Sequence, residues 1–143
     1  MTQEEKSILL QDLCTRLPYN LYVRIEEFNV PKNEAITEGF IGNYLKDNRC
    51  NDYDADGILN ELADDCINVK SYLRPMSSMT EEERKEYNDI VKNTIDFYNC
   101  PKSEEICFFI TPIDWLNAHH FDYRGLIPKG LAIAVTEKNN PYK

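Results

Sequence analysis

No stretch of this chain approaches the roughly 18 to 20 consecutive apolar residues that a bilayer-spanning helix requires, so a membrane span is not expected. The first residues, Met-Thr-Gln-Glu-Glu-Lys, lack the basic and apolar regions of a secretory leader, and a cytoplasmic location is expected. Cysteine is sparse: Cys14, Cys50, Cys66, Cys100 and Cys107 are odd in number, widely spaced and contain no CxxC pair. That pattern suits reduced thiols better than a disulfide framework and argues against a structural zinc site. Positive charge is also in deficit, with 16 Lys and Arg against 25 Asp and Glu and a net charge of −9. Affinity for a phosphate backbone rests on clustered Lys and Arg, so direct nucleic-acid binding is not expected. A Gly-rich phosphate loop, an HExxH pair and a GxSxG elbow are all missing, and the sequence implies no cofactor.

What remains is a chain of 143 residues, 42% of them hydrophobic and 11% aromatic. This is enough apolar material for one core without metals or disulfides, and too much for intrinsic disorder. One domain over residues 1–143 is expected, with a polar tail over 137–143 left to fray.

The apolar spacing predicts an α+β fold. Thr2 and Glu5 form a capping box ahead of Ile8, Leu9, Leu13, Cys14 and Leu17, which predicts a helix over about 2–17 that ends at Pro18. The period then changes: Leu21, Val23 and Ile25 alternate with Tyr22, Arg24 and Glu26, as in a strand with one buried face. After a turn at Pro31-Lys32-Asn33, residues 36–44 read as a partner strand whose Gly39 and Gly42 suggest a bulge. A short helix through Ile58, Leu59 and Leu62 and a strand through Ile67, Val69 and Ser71 follow, and a turn comes at Pro75. Thr80 with Glu83 starts a long central helix that Tyr87, Ile90, Val91, Thr94, Ile95 and Tyr98 carry to about residue 98. Thr111-Pro112-Ile113-Asp114 opens a short helix through His119 or His120, and Leu131, Ile133 and Val135 alternate as a final strand. The expected architecture is thus a helix, a small curved antiparallel sheet, one long helix, a short helix and a last strand.

Three groups of residues invite a chemical reading. Residues 47–65 hold seven acids, Asp47, Asp52, Asp54, Asp56, Glu61, Asp64 and Asp65, against Arg49 alone. Within them Asp52, Asp54, Asp56 and Gly57 match the first half of a calcium loop, in which alternate carboxylates converge on a hard cation, but Ala63 stands where a bidentate Glu belongs. The degenerate loop over 52–64 reads either as a calcium site or as a solvated acidic turn. His119 and His120 are the only histidines. Adjacent helical residues point about 100° apart and do not chelate one ion together, yet either histidine with Asp114 or Asp122, and with Cys107 or Cys100 as nucleophile, makes a hydrolase-like set. Cys107, in the run Ile-Cys-Phe-Phe-Ile, reads equally as a small core residue. Finally, Trp115, Phe121 and Tyr123 form either a recognition surface or the packing of the short helix, and Asp122 and Arg124 either pair or hold backbone groups in a turn.

The stretches LLQDLCTRLPY (9–19), YLRPMSSMTEEE (72–83) and DWLNAHHFDYRGLIPKGLA (114–132) resemble a family of small proteins from anaerobic gut bacteria, their prophages and other mobile elements. These segments frame most of the chain, whereas residues 29–68, with the acidic loop, depart most from the resemblance. The resemblance implies a helix followed by a small curved antiparallel sheet, and the context of an accessory protein, with no catalytic residues to carry over. The preferred expectation is a small acidic accessory protein that binds another protein, a host or phage factor, through Asp52, Asp54, Asp56, Trp115 or Tyr123. The alternatives are a Cys/His or metal-assisted hydrolase, a calcium-binding protein and a DNA mimic aimed at a nucleic-acid enzyme.

Overall fold

A computed structural model describes residues 1–41, 55–99 and 110–143. Helix α1 spans Gln3–Arg16, and the Thr2–Glu5 box closes both ways, each residue taking the other's backbone N–H. A 3-10 turn at Leu17–Tyr19 and a left-handed Asn20 redirect the chain into β1, Leu21–Glu27. The Pro31 turn closes through the Glu34 amide, and β2 runs over Ile36–Ile41. Helix α2 is Ala55–Ala63, β3 is Ile67–Leu73, α3 is Glu81–Asn99, α4 is Pro112–Ala118 and β4 is Ala132–Ala134.

The α+β class and the order of these elements agree with the pattern of the sequence. Strand order is β2-β1-β3-β4. The first three strands are antiparallel, but β4 joins β3 in parallel, which makes the sheet mixed. The expected bulge in β2 is absent from the described ladder, which pairs without interruption from Leu21↔Ile41 to Glu26↔Ile36. Gly39 is instead buried opposite Val23; Gly42 lies outside the described residues.

One face of the sheet is covered by α1 and α2. Leu9 and Leu13 of α1 and Ile58 and Leu62 of α2 meet Leu21, Val23, Ile25, Ile41, Ile67, Val69 and Leu73 in the main core. Each fully buried aliphatic side chain contributes about 1.5–3 kcal/mol. A second cluster joins Trp115, Leu116 and Phe121 to Met79, Tyr87 and Ile90, and packs α4 against the first half of α3. The final strand departs from its expected alternation. Its register puts Ala132 opposite the buried Ser71 and Ile133 opposite Tyr72, so Ala132, not Ile133, faces the core.

The tail expected to fray is held. Tyr142 reaches the end of the β1–β3 ladder, where its hydroxyl accepts from the Tyr22 N–H (3.2 Å) and donates to the Tyr72 carbonyl (2.7 Å). A polar tail carries one large amphipathic side chain, and that side chain finds both an apolar slot and two backbone partners.

Candidate functional site

The residues singled out from sequence fall in different surroundings. Asp52, Asp54, Cys100 and Cys107 lie outside the described residues, as does the side chain of Asp56. Helix α2 begins at Ala55, however, which takes Gly57 into a helix and away from the sharp turn that a calcium loop needs at that position. Among the described residues, no group of three or more His, Cys, Asp and Glu side chains is placed to hold a metal ion.

Trp115 and Phe121 are core residues, 3% and 0% exposed, and do not form a recognition surface. Their rings stack at 5.8 Å, because the second apolar cluster needs large side chains to join α4 to α3. Tyr123 is half-buried: its hydroxyl donates to Asn117, and the Arg16 and Arg124 guanidinium groups lie 5.0 and 5.3 Å from its ring centre.

The two candidate acids are both engaged in holding backbone. Asp114 completes the cap of α4, accepting from the Thr111 hydroxyl at 2.8 Å, and also accepts from the Tyr19 hydroxyl at 3.3 Å. Asp122 is buried and takes the Leu126 and Ile127 amides at 2.8 and 2.9 Å, which settles its role as the anchor of the following turn. Arg124 does not pair with it but stands 3.3 Å from Asp12.

That contact belongs to a feature the apolar pattern does not disclose. Leu9, Asp12, Leu13 and Arg16 lie at i, i+3, i+4 and i+7 of α1, so a charged pair completes the buried stripe of the helix. Arg16 Nε donates to Asp12 at 2.8 Å, and Arg16 Nη2 to the Phe121 carbonyl at 2.7 Å, with both side chains fully buried. Burial raises the Asp12 carboxyl and the two guanidinium groups oppose it. The i, i+4 spacing of Asp12 and Arg16 was the available signal, though it equally describes a solvated pair.

His119 and His120 close α4 by a Schellman motif. The His120 amide donates to the Asn117 carbonyl and the Phe121 amide to the Leu116 carbonyl, and His120 takes the left-handed conformation, φ 62°, that glycine usually fills. His119 Nδ1 lies 2.9 Å from the Trp115 carbonyl and its ring stacks on Trp115 at 4.0 Å. His120 turns the other way and stacks on Tyr142, centroids 3.7 Å apart and planes 7° from parallel. Burial, aided by the nearby Arg16, lowers its pKa from 6.5 to about 4, so the ring is neutral near pH 7.

These residues border a cleft of about 740 Å³ whose lining includes Arg74, Ser78, Thr80, His120, Thr136 and Tyr142. Arg74 forms a two-pronged pair with Glu83 at 2.7 and 2.8 Å and lies 4.2 Å over the Phe121 ring. Its backbone bonds to His120 and Asp122, which extends β3 by one bridge to Phe121. Of the hydrolase-like set, the cleft therefore collects the two histidines and neither acid. No family model, no curated protein and no solved structure matches this chain.

Proposed function

We propose that this protein acts by binding another protein, and that α3 supplies the surface. The observation that carries this reading is the incomplete packing of that helix. Over 19 residues none of its described side chains is buried, and only Tyr87 and Ile90 join the apolar cluster around Trp115. The stripe continues through Val91 and Thr94 to Ile95, which is 55% exposed, while Ile110 and Ile113 beside the start of α4 are 59% and 47% exposed. An amphipathic helix gains most of its stability by burying such a stripe, so a half-covered one favours association.

Glu86 flanks this stripe, Arg84 and Lys92 lie on or near its other edge, and Glu82, Asp89 and Asp96 fall on the far face of the helix; all are exposed. The stripe fits a partner helix that offers an apolar face, and the net charge of −9 favours a basic partner. The accessory-protein context of the resembled family fits the same role. A hydrolase reading has less support, since the acids it needs serve as cap and turn anchor.

Affinity purification of tagged wild type from its own host, beside the Ile95→Asp variant, tests the reading. A stoichiometric partner with a basic amphipathic segment, retained by wild type and lost by the variant at unchanged melting temperature, is expected. A partner held equally by both removes α3 as the surface.

A further inference from the structure

The geometry points to a second site: the slot filled by Tyr142 is a recognition site for a phenol group, which the chain occupies with its own side chain. Register defines the slot. The β1–β3 ladder ends at Val23↔Ser71, and Tyr22 and Tyr72 are the next pair in line. There the Tyr142 hydroxyl stands between the strands, taking the Tyr22 N–H and giving its proton to the Tyr72 carbonyl. One hydroxyl thus closes what would otherwise be a ladder bond, and it must both accept and donate.

The ring requirement is separate from the hydroxyl requirement. His120 lies flat against the Tyr142 ring, and Phe40 meets it edge-on at 6.2 Å. A flat ring bearing a hydroxyl meets both demands, whereas an aliphatic alcohol meets only one and a bare aromatic only the other. The left-handed conformation by which His120 closes α4 also places its imidazole under the phenol.

The slot also borders unmet polar demand. His120 Nδ1 and Arg16 Nη1 are buried, and neither has a hydrogen-bond partner among the described residues. Tyr142 forms part of the wall of the cleft that also holds Arg74, His119, Thr136 and Lys143, so its departure joins slot and cleft into one site. The rest of the tail is held by local bonds: Asn139 to Ala134 and Thr136, and the Tyr142 amide to Asn140. Its side chain is therefore a replaceable anchor. The replacing phenol comes either as a free small molecule or on residues 137–143 of a second copy.

Thermal melting of the Tyr142→Ala protein with p-cresol, toluene, the 137–143 peptide and that peptide with Phe for Tyr separates these cases. The expected result is a lower melting temperature that p-cresol or the tyrosine peptide raises saturably by roughly 3 °C, with toluene and the phenylalanine peptide without effect. Rescue by p-cresol assigns the site to free phenols, and rescue by the tyrosine peptide alone assigns it to the tail of a second copy. Equal effects of p-cresol and toluene, or no effect of any phenol, overturn the proposal. Should that variant not fold, Tyr142→Phe carries the test: exchange of the Tyr22 amide should rise about tenfold or more, and unchanged exchange overturns the hydroxyl bridge on which the site depends.

Discussion

Asp12 and Arg16 are each 0% exposed, and neither can lose the other without leaving a charge in the core. Removing one partner of a buried pair costs about 3–5 kcal/mol, whereas replacing both by apolar groups of similar volume is far milder. Asp12→Ala should lower stability by about that amount in denaturant titration, and Asp12→Leu with Arg16→Met should cost less than Asp12→Ala alone. His120 makes the second prediction at this scale. Its folded pKa of about 4 lies below the ordinary 6.5, so the unfolded chain binds the extra proton. The associated stability is fully present above pH 6.5 and is lost as pH falls toward 4. An NMR titration should find the His120 ring neutral at pH 6, and His120→Asn should flatten the pH dependence of the melting temperature over that window.

At the scale of elements, α3 depends on its first turn. Thr80 and Glu83 exchange hydrogen bonds with each other's backbone amides, and Glu83 also grips Arg74, tying the helix start to the end of β3. Thr80→Ala should cost about 1 kcal/mol, read as a lower melting temperature. The hydrogen bonds from Arg74 hold the Glu83 carboxyl down, from 4.5 to about 2. Its contribution is therefore present above pH 4.5 and is lost as pH falls toward 2, so the gap in melting temperature between wild type and Glu83→Gln should close over that range. The sequence makes the Thr80–Glu83 box visible because capping is a local interaction. The Arg74–Glu83 pair is not visible, because it depends on how a turn brings β3 to a helix.

For the whole molecule, the informative property is uneven burial. The sheet, α1 and α2 share one core, whereas the α3 residues that join a core cluster among the described residues, Tyr87 and Ile90, do so around Trp115. Ile95→Asp should accordingly leave the melting temperature within about 1 °C of wild type, while weakening any complex formed through α3. Should the melting temperature fall by several degrees, Ile95 packs within the molecule and the proposed surface is misplaced. Association of this acidic molecule with a basic partner should also weaken between low and high salt, because exposed charges are screened over about 10 Å at 0.1 M ionic strength.

The sequence by itself determined the elements: caps at Thr2, Thr80 and Thr111, the period change at Tyr19, and the turns at Pro31 and Pro75 all act over a few residues, and all recur in the fold. Tertiary structure alone decided the parallel docking of β4, the burial of Trp115, the charged pair inside α1's stripe and the seat of Tyr142. Each of these joins residues far apart in the chain or depends on which face is covered. Spacing along a sequence reports which side chains share a face, but only packing decides what that face meets.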